Sequence, residues 1–103
     1  MASLLLILLI HYVNIYLMYK VIYKPDAIKT LARMPRNVAD KIRKKVAELS
    51  LSPFATRNNV TALSGGMGYR LRVGDWRIIY TINDDKLEIL MVRIAPRGEM
   101  YKK

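Results

Sequence analysis

A chain of 103 residues makes one domain with a single modest core and has no room for a second folded unit beside it. Its 18 Lys and Arg against 8 Asp and Glu give a formal charge of +10 and an isoelectric point near 10.1, more than solubility asks for. With no Cys and a single His, the composition excludes disulfides, thiolate zinc sites, Cys nucleophiles and His-based metal clusters, so no metal and no cofactor is expected. The charge points to a polyanionic partner, meaning nucleic acid, an acidic protein or an anionic membrane. A basic protein with a merely solvated surface is the alternative. The lack of Cys fits a cytoplasmic location.

The opening MASLLLILLIHYVNIYLM carries no charged side chain, and Leu4 to Ile10 is unbroken aliphatic. A spanning helix wants about 20 apolar residues, and His11 and Asn14 interrupt this one. No basic n-region or A-x-A-like cleavage site marks a secretory signal. MYKVIYKPDAIKTL, from Met18, reads as a natural domain start. The expected domain is therefore residues 18–103, with residues 1–17 an apolar extension outside the fold, translated from a misassigned start. A membrane-associating segment and a packed or oligomerising helix are the alternatives; a membrane is not the expected partner.

Tyr19 to Lys24 alternates and is rich in Val, Ile and Tyr, which suits a strand, and Pro25 closes it. PDAIKTLARMP places Ile28, Leu31 and Met34 at helical spacing before Pro35 stops the run. RNVADKIRKKVAELSLSP gives a second helix with Val38, Ile42, Val46 and Leu49 on one face and Arg36, Lys41, Arg43, Lys44 and Lys45 mostly on others. That basic cluster reads first as a solvated face and second as a phosphate or acidic-partner surface. Pro53 to Gly68 is loop-like, and Gly65-Gly66-Met67-Gly68 lacks the Lys and spacing of a P-loop. Strands follow at Tyr69 to Val73, Trp76 to Asn83 and Lys86 to Ala95, with turns at Gly74-Asp75 and Asp84-Asp85. The expected fold class is α+β, β-α-α-β-β-β, an antiparallel sheet with two helices packed on one face. The other face is left bare.

A two-residue turn at Gly74-Asp75 sets Val73 opposite Trp76, Arg72 opposite Arg77, Leu71 opposite Ile78, Arg70 opposite Ile79 and Tyr69 opposite Tyr80. Alternation then puts Tyr69, Leu71, Val73, Trp76, Ile78 and Tyr80 under the helices and Arg70, Arg72, Arg77 and Ile79 on the bare face. Like charges opposed on a sheet cost about 0.2–1 kcal/mol, so the arrangement calls for an anion, and phosphate matches the planar donor fork of Arg. A two-residue turn at Asp84-Asp85 pairs Ile82 with Leu87 and Arg77 with Val92, sending Ile89 and Met91 to the helices and Leu90, Val92 and Ile94 to the arginine face. A part-apolar floor ringed by cations suits a nucleotide. Arginines spread over a solvated face are the alternative, since a one-residue slip moves every side chain across the sheet. In the tail RGEMYKK, Arg97 and Tyr101 lie four apart, on one side of a helical turn. A phenol among cations has its pKa lowered, which fits a proton shuttle; an ordinary aromatic in a frayed tail is the alternative.

Taken in order, MYKVIYKPDAIKTLARMP, the basic second helix, L-S-G followed by YRLRVGDWRIIY, and the final R-x-x-x-Y make the chain from Met18 to Lys103 resemble the RelE-type toxins of toxin–antitoxin pairs, within the RelE/ParE superfamily. The resemblance implies a fold like that of small microbial ribonucleases and an RNA-cleaving site at Arg70, Arg72, Arg77, Arg97 and Tyr101. It also implies an endoribonuclease that cuts mRNA in the ribosomal A site and so inhibits translation, with mRNA, the ribosome and a cognate antitoxin as partners. With no carboxylate cluster for Mg²⁺ and no His pair, metal-independent attack by the 2′-OH is the expected chemistry. Tyr101 would handle the proton, Arg77 and Arg97 the transition-state charge, and Arg70 and Arg72 the backbone. Pro96 stands where many relatives carry His or Lys, and Arg70 and Arg72 stand where some carry Lys. Two other functions remain open. The ParE branch shares the fold but poisons DNA gyrase without cutting RNA, and a membrane-tethered nucleic-acid-binding protein would use Leu4 to Leu17 as its anchor.

Overall fold

The computed structural model describes residues 4–6 and 18–98 of the chain. Leu4, Leu5 and Leu6 are helical and exposed. The rest of the apolar extension, and with it the choice among the three accounts of residues 1–17, lies outside the described residues, as does Tyr101. From Lys20 the elements run β1 (Lys20–Tyr23), α1 (Pro25–Arg33), α2 (Arg36–Leu51), β2 (Val60–Ala62), a 3-10 turn at Ser64–Gly66, β3 (Tyr69–Val73), β4 (Trp76–Asn83) and β5 (Glu88–Pro96).

Local chemistry sets the helix bounds. Pro25 occupies the first turn of α1, where its missing N–H is not needed, and Asp26 and Arg33 complement the helix dipole at either end. Pro35 forces Met34 into extended backbone, which ends α1, and α2 starts directly after it. Past the end of α2, Arg57 folds back on the helix. Its Nη1 donates to the carbonyls of Ser52 at 2.7 Å and Ala55 at 3.3 Å, and its Nη2 to that of Glu48 at 3.3 Å, the last an oxygen in the final turn that a helix terminus leaves unpaired.

The strands form one sheet in the order β1-β5-β4-β3-β2. β1 and β2, consecutive strands, sit at opposite edges, so α1 and α2 must carry the chain across the whole sheet, and they cover one face in doing so. The chain then returns by an antiparallel meander until β5 lies beside β1. The α+β class and the helix-covered sheet expected from the sequence are present, with two additions. β1 joins β5 in parallel, making the sheet mixed, and the stretch expected as loop from Pro53 to Gly68 contains β2.

Beneath the helices Ala27, Leu31, Met34, Ala39, Ile42, Val46 and Leu49 meet Leu71, Val73, Ile78, Tyr80, Ile89, Met91 and Ile94 in one core. Ile28, expected on the buried stripe of α1, is 54% exposed. Ala27, Leu31 and Met34 form that stripe instead, and the rotation of about 100° per helical residue carries Ile28 off it. Gly68 leads into β3 with φ of +114°, and a Cβ there would stand 2.5 Å from the Tyr80 carbonyl oxygen. Only glycine permits β3 to start so close to β4.

Candidate functional site

The β3–β4 hairpin has the register derived from its turn: Tyr69, Arg70, Leu71, Arg72 and Val73 stand opposite Tyr80, Ile79, Ile78, Arg77 and Trp76. Gly74 takes the turn with φ of +56°. Leu71, Val73, Ile78 and Tyr80 are buried under the helices, and the arginines fall on the other face.

The second hairpin departs from its expected register. Asp84 to Leu87 form a four-residue loop, with the Lys86 N–H bonded to Asn83 Oδ1 at 3.1 Å and Leu87 at φ of +51°. Pairing starts at Asn83 opposite Glu88 and sets Ile82 opposite Ile89, two residues along from expectation. A two-residue shift keeps side-chain parity, so Ile89 and Met91 still enter the core. A bulge then intervenes: Tyr80 pairs with Met91 but Ile79 with Arg93, leaving Val92 as the extra residue. Parity reverses beyond it. Ile94, expected on the arginine face, pairs with Ile78 and is buried in the core, while Arg93 and Ala95 come to the arginine face opposite Ile79 and Arg77. Val92 does not pair with Arg77.

Four of the five residues expected at the site line one cavity of about 200 Å³: Arg70, Arg72, Arg77 and Arg97. The fifth, Tyr101, falls outside the described residues. Arg97, just past β5, is placed by its own backbone, whose N–H donates to the Asp75 carbonyl at 2.7 Å and fastens the root of the tail to the β3–β4 turn. Arg77 is 8% exposed, and its Nη1 donates to the carbonyls of Gly74 at 2.9 Å and Trp76 at 3.0 Å. Those bonds fix the guanidinium while its Nε and Nη2 keep donors of their own. Among the described residues no carboxylate lines the cavity. Such a concavity favours a polyanion, and phosphate above all, because guanidinium forks match its oxygens.

Among the described residues the rest of the wall is Asn58, Asn59 and Thr61, in the stretch whose composition predicts a loop. β2 brings them there: Thr61 pairs with Arg70, and the Arg72 N–H donates to the Asn59 carbonyl at 2.8 Å. The signal was Val60-Thr61-Ala62, a short alternation with an inward Val and an outward Thr, too brief to stand out between Asn and Gly residues. Among the described residues no group of three or more His, Cys, Asp or Glu is placed to hold a metal, and no helix is long and apolar enough to cross a membrane.

A mixed sheet covered by two helices on one face is a fold shared with RelE-type toxins of known structure. The chain matches, over residues 21–101, the family described as the ParE toxin of type II toxin–antitoxin system, parDE, and belongs to that family, within the RelE/ParE superfamily. It is similar to the mRNA interferase toxin RelE of Escherichia coli, 23% identical over 77 residues that make up 73% of this chain and 81% of that one. Among solved structures, the archaeal RelE–RelB complex from Pyrococcus horikoshii superposes with a TM-score of 0.69 at 27% identity, over 79% of this chain and 97% of that one. The isolated Escherichia coli RelE toxin superposes with a TM-score of 0.66 at 21% identity, over 76% and 83% of the two chains, a likeness of fold.

Proposed function

We propose that the protein is an endoribonuclease that cleaves mRNA without a metal ion, in the ribosomal A site, and thereby stops translation. The observation that carries this reading is the convergence of Arg70, Arg72, Arg77 and Arg97 on one cavity. The relative named an mRNA interferase supports it. Arg70 and Arg72 hold the RNA backbone, and Arg77 and Arg97 stabilise the negative charge that builds on the pentacoordinate phosphorus. The 2′-oxygen forms the new bond to phosphorus as its proton passes to Tyr101 or is relayed by it. The P–O5′ bond breaks, its electron pair leaves on O5′, and O5′ takes up a proton. The products are a 2′,3′-cyclic phosphate, which can open to a 3′ phosphate, and a 5′-OH. A cognate antitoxin masks the cations with an acidic and apolar segment that folds on binding; the RelE–RelB complexes among the relatives support such a partner.

Incubation with translating ribosomes followed by mapping of mRNA ends tests the proposal. Codon-spaced cuts are expected, reduced about 10²–10³-fold by Arg77→Ala and by Arg97→Ala. Full cleavage by Tyr101→Phe would remove Tyr101 from the proton chemistry and leave the arginine roles standing. The ParE description of the matching family favours a second reading, a gyrase poison without nuclease activity. Intact mRNA together with gyrase-linked DNA breaks would replace the first reading with that one.

A further inference from the structure

The proposed chemistry uses only the cations of the cavity and leaves its neutral wall, Asn58, Asn59 and Thr61, without a role. Asn58 and Asn59 have a second side. They also line an adjoining concavity of about 370 Å³, to which Leu49, Leu71 and Arg57 contribute. Leu49 and Leu71, each 1% exposed, close its base, and the Lys45–Glu48 ion pair at 3.6 Å completes its rim. Arg57 is held in place by the carbonyls of Ser52, Ala55 and Glu48. A guanidinium fixed in this way presents a flat face on which an unpaired base can stack at little further entropic cost. The Asn58 amide makes no hydrogen bond to any described residue, so both its donor and its acceptor are available at the ridge between the two concavities.

A cationic cavity beside a part-apolar one, with amides on the shared wall, has the layout of a nucleotide: phosphate on one side, base on the other. We propose that the second concavity is a base-reading subsite, which takes the base of the nucleotide whose phosphate lies among Arg70, Arg72, Arg77 and Arg97. Arg57 stacks on the base and the Asn58 amide pairs with its edge. Adenine is the base this chemistry selects, because an Asn amide pairs with adenine N6 and N7 through two hydrogen bonds at once. The proposal rests on single-stranded RNA being the ligand of the arginine cavity.

The test is fluorescence anisotropy at fixed low salt with the full chain and four 5′-fluorescein pentanucleotides, UUAUU, UUGUU, UUCUU and UUUUU, each 2′-O-methylated at every ribose so that no cut can occur. UUAUU is expected to bind the wild-type protein about tenfold more tightly than UUUUU, and Asn58→Ala to bring the four probes level. Arg57→Lys, which keeps the charge and loses the plane, is expected to weaken UUAUU about tenfold, with urea unfolding used to show that the variant is folded. Arg72→Ala is expected to weaken all four probes alike. Absence of an adenine preference, or its survival in Asn58→Ala, overturns the subsite while leaving the arginine cavity intact. Unchanged binding of every probe to Arg72→Ala overturns the RNA reading of that cavity and the subsite with it.

Discussion

The two faces of this sheet are built from the same strands and differ in almost every other respect. On the covered face Leu71, Val73, Ile78, Tyr80, Ile89 and Met91 are sealed against α1 and α2. On the bare face Arg70, Arg72 and Arg77 share a cavity with Asn59 and Thr61. One face gains stability from burial and the other forgoes it to hold like charges together. Because neighbouring residues alternate between faces, a single strand such as β3 serves both, and adjacent substitutions should have unlike consequences.

The largest stability loss should come from the covered face. Ile78→Ala empties a fully buried site and is expected to cost about 2–5 kcal/mol in urea unfolding. Its neighbour in sequence, Arg77, should show the reverse balance. Arg77→Ala loses two turn hydrogen bonds, a cost of about 1–2 kcal/mol, and its main effect should appear as lost mRNA cleavage. If Ile78→Ala and Arg77→Ala damage stability and cleavage in the same proportion, the division of labour between the faces is wrong. Gly68→Ala, where a side chain meets the Tyr80 carbonyl, should destabilise by about 2 kcal/mol, read as a lower Tm.

A smaller effect tests the covered face at its one polar flaw. The Tyr80 hydroxyl is buried with no hydrogen-bond partner among the described residues. Burial pushes its phenol up from 10.0 to about 12, against an opposing pull from the Arg57 charge. A folded value above the unfolded one means that the native state holds the phenol proton more tightly. The corresponding stability is full below pH 10 and drains away as the pH rises from 10.0 towards about 12. Tyr80→Phe should therefore stabilise the protein by about 1 kcal/mol at neutral pH and flatten the alkaline loss, both measured by urea unfolding across pH. The smallest effect belongs to the bare face. Arg72→Ala removes a charge directly opposite Arg77 and should raise stability by about 0.2–1 kcal/mol, more at low salt than at high. A destabilised Arg72→Ala would show that these guanidiniums do not repel one another in the folded protein.

What the sequence disclosed follows the range of its signals. Gly74-Asp75 fixes a turn within two residues, and the register it implies is reproduced at all five pairs of β3 and β4. Asp84-Asp85 looked like a similar turn, but Leu87 adopts a left-handed backbone that residue preferences would not assign to it, and the loop grew to four residues. The partner of β1 was beyond local reading, since Lys20 and Glu88 are brought together by the entire intervening chain. β2 lay hidden because three residues are too few to display a period. Of the candidate site, the residues carried by the well-read hairpin were legible and the amides delivered by β2 were not. Arg97 had its place in the sequence, but the bond that positions it, to the Asp75 carbonyl, is a tertiary one.

Val92 acts like a frameshift written in space. Up to Met91 the odd-numbered residues of β5 read into the core; after the inserted residue the even-numbered Ile94 does. Without that change of phase Arg93 would point into the oil of the core and Ile94 out among the cations. Deleting Val92 would close the bulge into a regular ladder and leave Arg93 and Ile94 on the faces they now hold.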